Sequence, residues 1–74
     1  MKYLILCPTD KRIVLTSTTI DYDSIGSLIL DTGVYVAPGI SELISVEDIP
    51  EYIEPEKWCY VDGKYIEYIE QKNN

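Results

Sequence analysis

Few side chains in this sequence could act as nucleophiles or general bases. The 74 residues include two cysteines and no histidine, so the Ser-His and Cys-His pairs that activate a nucleophile cannot form. Cys7 and Cys59 each lie among apolar or aromatic neighbours, without an adjacent basic residue that would lower the thiol pKa. We therefore expect both cysteines to be packing residues, and we expect no catalytic residue.

The same two cysteines are expected to be free thiols. They could form a disulfide if their strands were neighbours, but the N-terminal apolar run is only five residues long, which predicts no signal peptide. A chain made in the reducing cytoplasm keeps its thiols reduced.

Metal and cofactor sites are also not expected. Zinc needs four nitrogen or sulfur ligands, and two cysteines without histidine do not supply them. Asp21-x-Asp23-Ser24 is typical of the start of a calcium loop, but the loop glycine and the bidentate glutamate do not follow at the required positions. No glycine-rich phosphate loop is present.

The segment Leu28-Ile29-Leu30-Asp31-Thr32-Gly33 resembles the apolar-apolar-Asp-Thr-Gly signature of retroviral-type aspartic proteases. That resemblance implies a homodimer in which two aspartates, one per subunit, share a proton and act as base and acid. The family's later apolar-apolar-Gly segment and glycine-rich flap are absent, and the chain is shorter than the family needs. We therefore expect a hairpin turn in which Gly33 supplies a positive φ.

The charge is strongly negative: 13 acidic against 6 basic residues give a formal net charge of −7. Nucleic-acid binding needs clustered Lys and Arg, so neither nucleic acid nor an anionic membrane surface is an expected partner. No segment approaches the roughly 20 apolar residues of a membrane span. Six acids lie between Glu42 and Glu56; they are expected to form a solvated segment, and the alternative is a decoy that mimics nucleic acid.

The order of apolar runs predicts a single, mostly β domain over residues 1–70 with five or six short strands, arranged as an antiparallel sheet or a partly open barrel. Residues 3–7 and 12–19 predict an N-terminal hairpin whose first strand is central. Residues 20–26 predict a loop or an irregular helical turn. Residues 28–30 and 34–36 predict two more strands, residues 40–46 favour a strand over a helix, and residues 71–74 predict a frayed polar tail.

The C-terminal third carries the strongest local signal, a β-hairpin. Two runs rich in aromatic and β-branched residues, 57–61 and 64–69, are joined by Asp62-Gly63, the pair that a two-residue type I′ turn prefers. Pairing across this turn places Tyr60 opposite Tyr65 and Trp58 opposite Glu67. Trp58, Tyr60 and Tyr65 then share one face of the hairpin.

Both faces of this hairpin are apolar or aromatic, because Cys59, Val61, Ile66 and Tyr68 occupy the other one. A chain of this length buries only about 60% of its unfolded surface, so it cannot cover both faces by itself. Seven tyrosines without a phenylalanine also favour half-exposed, interface-forming rings over a closed core. The expected protein-interface residues are Trp58, Tyr60, Tyr65, Tyr68 and Tyr35, with Cys59, Val61, Ile66 and Leu6 in the core; the reverse assignment of the two faces stays open.

Several stretches resemble the small proteins encoded in the tail regions of tailed bacteriophages and prophages of Gram-positive bacteria. They are residues 3–7, residues 19–22 with 31–33, and above all residues 46–60, where the pattern Ile-Pro-Glu-x-Ile-x-Pro-x-Lys-aromatic-x-Tyr occurs. The resemblance implies a phage setting near the tail tip, and it carries over no catalytic or ligand residue.

The expected function is therefore that of a non-enzymatic tail-associated structural or assembly module. It is expected to act through protein contacts, as a homo-oligomer or docked on a larger tail component, in the host cytoplasm during synthesis and then in the virion tail. The alternative is an acidic phage inhibitor of a bacterial host enzyme or defence factor. A homodimeric aspartic protease built on Asp31 is a remote third alternative.

Overall fold

The structure is a computed structural model that describes residues 1–69 as eight short β-strands without a helix. The strands are β1 (Lys2–Leu6), β2 (Ile13–Ser17), β3 (Ile20–Tyr22), β4 (Leu28–Leu30), β5 (Tyr35–Val36), β6 (Glu42–Val46), β7 (Trp58–Val61) and β8 (Lys64–Glu67). They form three small antiparallel sheets, with the strand orders β2-β1-β6, β3-β4-β5 and β7-β8.

The all-β class predicted from the sequence is confirmed, and two finer expectations are corrected. Eight strands are present instead of five or six, and within residues 1–69 none of the sheets closes into a barrel. The strand that was not predicted is β3, which has three residues and is too short to show a period in the sequence. The predicted tail, residues 71–74, and the last residue of the predicted domain lie outside the described residues.

Strand β1 is the centre of the molecule, as the sequence predicts from its continuous apolar character. It pairs with β2 on one side and with β6 on the other. Leu4, Ile5 and Leu6 have at most 1% of their surface exposed. Because successive side chains of a strand point to opposite faces, this uninterrupted burial means that both faces of the central sheet are covered.

Leu4 and Leu6 define one face of the central sheet, called here the hairpin face. They form a core cluster with Ile13 and Ile53, and aromatic side chains of the β7–β8 hairpin pack against that cluster. Residues 49–53 complete the cover, with Ile49 also packed on the cluster. The hairpin face is thus buried by two segments that follow β6 in the chain.

The β7–β8 hairpin has the register that the sequence predicts, with Tyr60 opposite Tyr65 and Val61 opposite Lys64. The φ angles of Asp62 and Gly63 are 51° and 78°, so both central residues of the turn have a positive φ. The hairpin is attached to the segment that precedes β2, because the backbone N–H of Tyr60 donates to the carbonyl of Lys11 at 3.0 Å and Arg12 forms an antiparallel bridge with Cys59.

Ile5 defines the opposite face of the central sheet, called here the meander face. It clusters with Leu30 and Val36 of the β3-β4-β5 meander. The register of β1 with β2 shifts between Ile5 and Leu6, which pair with Leu15 and Ile13. This bulge leaves Val14 without a partner on β1, and Val14 and Leu15 both pack on the meander-face cluster.

Strand β3 corrects the loop predicted for residues 20–26. Ile20 pairs with Leu30 and Tyr22 pairs with Leu28, and Ile20 also packs against the meander-face cluster. The local pattern of this segment has no clean period, so its extended conformation comes from pairing with β4. The predicted N-terminal hairpin and the preference for a strand at β6 are both confirmed.

Candidate protein-docking groove

The meander covers its face of the central sheet incompletely, and an open groove of about 520 Å³ lies where the cover ends. Strand β5 has only two residues, whereas β1 and β2 beneath it have five each. The apolar lining comes from the central sheet and from the β5 segment: Ile5, Val14, Leu15, Val34, Tyr35, Val36 and Ile40. This surface is called the groove below.

The rim of the groove exposes large apolar side chains to solvent. Val34, Tyr35 and Ile40 have 43%, 63% and 65% of their surface exposed. Between them the chain turns at Gly39, whose φ is 82°. Apolar side chains that surround a concave surface are typical of interaction sites, whereas singly scattered ones are ordinary.

Arg12 lines the groove and brings a positive charge into it. Its guanidinium carbon lies 5.1 Å from the centre of the Tyr68 ring, a cation–π distance. Its Nε atom is buried and has no hydrogen-bond partner among residues 1–69. Arg12 takes no part in the ion pairs found within that range. The carboxylate of nearby Asp10 accepts its backbone N–H at 3.0 Å and interacts with its guanidinium from beyond ion-pair distance.

Cys7 also lines the groove, and its thiol environment differs from that of Cys59. Cys7 Sγ lies 3.1 Å from Thr9 Oγ1. Hydrogen bonding to the Thr9 side chain and to the backbone of Thr9 and Asp10 lowers the pKa of Cys7, whereas burial raises the pKa of Cys59. Both cysteines are free, in agreement with the sequence prediction.

The five residues predicted to form the protein interface are divided between two places. Trp58, Tyr60 and Tyr65 are half-buried and pack against the hairpin-face core. The Tyr60 and Tyr65 rings meet edge to face, with centroids 5.0 Å apart, and burial raises the pKa of Tyr65. Tyr35 lies at the rim of the groove, and Tyr68 is half-buried under Arg12.

The orientation chosen for the C-terminal hairpin is therefore corrected. Its Trp58, Tyr60 and Tyr65 face was predicted to point outward, but it is the face that packs on the core. Ile66, predicted to be in the core, has 50% of its surface exposed. The buried side chains of the core cluster lie on β1, on β2 and at Ile53, so their placement decides which apolar face of the hairpin turns inward. Leu6 is in the core as predicted.

The remaining groove residues, among them Cys7, Arg12 and Ile40, were not predicted as site residues. Cys7 and Arg12 flank the turn between β1 and β2, and they line the groove together with residues of the β5 segment that are distant in sequence. One signal in the sequence was available: Val34, Tyr35 and Ile40 are large apolar residues around the breaker pair Pro38-Gly39. Apolar residues this close to a turn have few neighbours on their own short strand that could bury them.

The Asp31-Thr32-Gly33 motif forms the turn between β4 and β5, as the sequence favours. The backbone N–H of Gly33 donates to the carbonyl of Leu30 at 2.9 Å, and the φ of Gly33 is 85°. The Asp31 carboxylate accepts hydrogen bonds from the hydroxyl and backbone N–H of Thr18, at 2.7 and 2.9 Å. These bonds from Thr18 lower the pKa of Asp31, so the carboxylate serves to tie the meander to the end of β2.

The acidic segment is partly compensated by lysines. Of its six acids, three form ion pairs: Glu42 with Lys11 at 2.7 Å, Asp48 with Lys2 at 3.0 Å, and Glu54 with Lys57 at 3.4 Å. The hydrogen bond from Lys2 also lowers the pKa of Asp48. The segment therefore presents fewer unpaired charges than its composition indicates.

Residues 1–69 contain no group of three or more acidic, histidine or cysteine side chains placed to hold a metal ion. In the same part of the chain, no helix has the length and apolar character needed to cross a membrane.

Comparison of the whole chain with protein-family models, with curated proteins and with solved structures found no match. The functional argument therefore rests on the groove and its surroundings.

Proposed function

We propose that this chain is a non-enzymatic protein-binding module whose docking surface is the groove on the meander face. The observation that carries the proposal is the set of exposed apolar side chains, Val34, Tyr35 and Ile40, around an open apolar concavity. Burying such side chains against a partner is favourable by roughly 25 cal/mol per Å² of apolar surface.

The proposed setting is the tail of a bacteriophage, where the module docks on a larger tail component or on copies of itself. This setting is supported by the resemblance to phage tail-region proteins, which residues 46–60 carry most strongly and residues 3–7, 19–22 and 31–33 carry more weakly. The mode of action is supported separately, by the geometry of the groove. The two parts of the proposal can therefore fail independently.

The alternative function, an acidic inhibitor of a host enzyme, has weaker support. Ion pairs with lysines compensate Glu42, Asp48 and Glu54, so the decoy surface would be interrupted. The aspartic protease alternative has weaker support again, since the Asp31 carboxylate is engaged by Thr18.

Site-directed photo-cross-linking tests the docking surface directly. A benzophenone amino acid replaces Tyr35 at the groove in one variant and Tyr52 in a matched control. Both tyrosines are similarly exposed, at 63% and 61%, but only Tyr35 lines the groove. Irradiation of producing cells should give a discrete protein adduct at position 35 and none at position 52.

Mass spectrometry of the adduct separates the proposed settings. Virion proteins or a second copy of the chain support the tail module, whereas a host enzyme supports the inhibitor alternative. Equal cross-linking at positions 35 and 52, or none at either, would overturn the assignment of the groove as the docking surface.

A further inference from the structure

We infer that the groove takes an extended peptide segment of a partner protein, added as a strand to the free edge of β5, with one carboxylate of that segment against Arg12. This inference rests on the proposed protein-binding function and specifies the chemistry of the partner.

The edge of β5 is the first argument for an extended peptide. β5 pairs with β4 on one side only and is the last strand of its sheet. Three consecutive residues, Val34, Tyr35 and Val36, all line the groove. Consecutive side chains of a strand point to opposite faces of its sheet. Since all three of these residues line the groove, the groove runs along the edge of the strand, where backbone groups can pair with an added strand.

The apolar surface beneath this edge gives the second argument. Val14 and Leu15 are half-buried side chains of β2 that lie in the groove together with the fully buried Ile5. Every second side chain of an added strand would point toward that surface. The inferred segment therefore has apolar residues at alternate positions.

Arg12 gives the third argument, which concerns charge. Its guanidinium lies over the Tyr68 ring, and Nε is buried without a hydrogen-bond partner in residues 1–69. Asp10 acts on it only from beyond ion-pair distance, and no ion pair is formed within that range. A carboxylate that reaches the terminal nitrogens would compensate this charge in the fork geometry that arginine favours.

The overall charge decides between a foreign segment and a second copy. Two copies would each carry a net charge of −7 over the whole chain, and the repulsion between two chains of like charge disfavours their association. The same repulsion disfavours a highly acidic partner. The inferred segment is therefore mostly apolar, with its carboxylate placed opposite the arginine.

Selection from a displayed library of random eight-residue peptides tests the inference on the intact chain. Peptides enriched by the wild-type protein should alternate apolar residues and share an acidic residue at one position. Synthetic copies of an enriched peptide, labelled with a fluorophore, then give affinities by fluorescence anisotropy.

Arg12→Gln should weaken binding of that peptide by about tenfold or more, because the peptide carboxylate loses its charged partner. Lys64→Gln is the matched control, since it removes the same charge at an exposed position outside the groove, and it should change affinity less than about twofold. Arg12→Lys should restore part of the affinity, which a purely structural role of Arg12 would not predict. Thermal unfolding verifies that each variant is folded.

Two further measurements test whether the peptide binds as an added strand and whether it lies in the groove. Methylation of single backbone nitrogens of the peptide should weaken binding at every second position only, as expected for one paired edge. Bound peptide should slow alkylation of Cys7, which lines the groove, and leave alkylation of Cys59 unchanged.

Failure to enrich any peptide, enrichment without a common acidic position, or equal binding by wild type and Arg12→Gln would overturn the inference. A dimer in sedimentation that Tyr35→Ala dissociates would also overturn it, in favour of a second copy as the occupant. If any of these results is obtained but a protein adduct still forms at position 35, the proposed docking function is retained. Only the inference that the partner segment is an extended peptide with a carboxylate against Arg12 is then rejected.

Discussion

The two faces of the central sheet are built from neighbouring residues of the same strand, yet they are covered differently. Leu4 and Leu6 face a hairpin and a connecting segment, and Ile5 between them faces a meander of strands with two or three residues. The hairpin brings half-buried aromatic rings to its face, whereas the meander ends at β5 and leaves the groove. One face is therefore covered by large side chains, while the other keeps an open apolar surface, which we propose serves binding.

Leucine truncation on the two faces should give the largest contrast in stability. Leu4→Ala should lower the free energy of unfolding by about 2–5 kcal/mol, because its side chain has no exposed surface and a cavity would remain. Leu15→Ala removes the same atoms beside the groove, where the side chain is half-buried, and should cost about 1–2 kcal/mol. Urea denaturation measures both variants. Equal losses would mean that the meander face is packed as tightly as the hairpin face.

Tyrosine truncation should give the next largest contrast. Tyr65→Ala should cost about 1–3 kcal/mol, because its ring packs on the hairpin-face core and against Tyr60. Tyr35→Ala, at the exposed rim of the groove, should change stability by less than about 0.5 kcal/mol. Thermal unfolding distinguishes the two variants, and the reverse order would restore the outward orientation predicted from the sequence for Tyr65.

Gly63→Ala tests the turn that holds the hairpin over its face. The added methyl group would meet no atom within 4 Å, so any loss comes from the backbone, whose φ is 78°. A loss of about 1–2 kcal/mol is expected for forcing alanine into this region. Asp62→Asn is the control, because asparagine tolerates the positive φ of 51° at that position. If both variants unfold at the wild-type denaturant concentration, the turn contributes little to covering the hairpin face.

Asp31→Asn tests the tie that holds the meander in place, and its effect should be the smallest. The hydrogen bonds from Thr18 lower the pKa of Asp31 in the folded protein. Their contribution is therefore fully present above the ordinary aspartate pKa of about 3.9 and is lost as the pH falls through the lowered value. The variant should melt below the wild type at pH 7, and the difference should shrink in acid. A difference that is independent of pH would show that the Asp31 charge is not involved.

The sequence was sufficient for local elements with a strong pattern. The central position of β1 follows from its uninterrupted apolar run, and the register of the C-terminal hairpin follows from Asp62-Gly63. The turn at Gly33 is also predictable, because the need for a positive φ is local. Short strands such as β3 were missed, since their conformation depends on a partner strand and not on their own pattern.

The candidate site was only partly predictable. Tyr35 was identified as an interface residue, and the structure places it at the groove. Cys7 and Arg12 were missed, because they line the groove together with β5-segment residues that are distant from them in sequence.

The amino-acid sequence by itself determined the β class, the acidic charge, the hairpin and the fact that more apolar faces exist than a chain of this length can bury. The tertiary structure alone decided which face is left partly open. The physical reason is that both faces of the C-terminal hairpin are apolar, so local energetics do not separate them. Packing against Leu6 and Ile13, which are distant in sequence, selects the inward face of the hairpin. The groove beside Arg12 stays open on the meander face, because the meander ends at the two-residue strand β5.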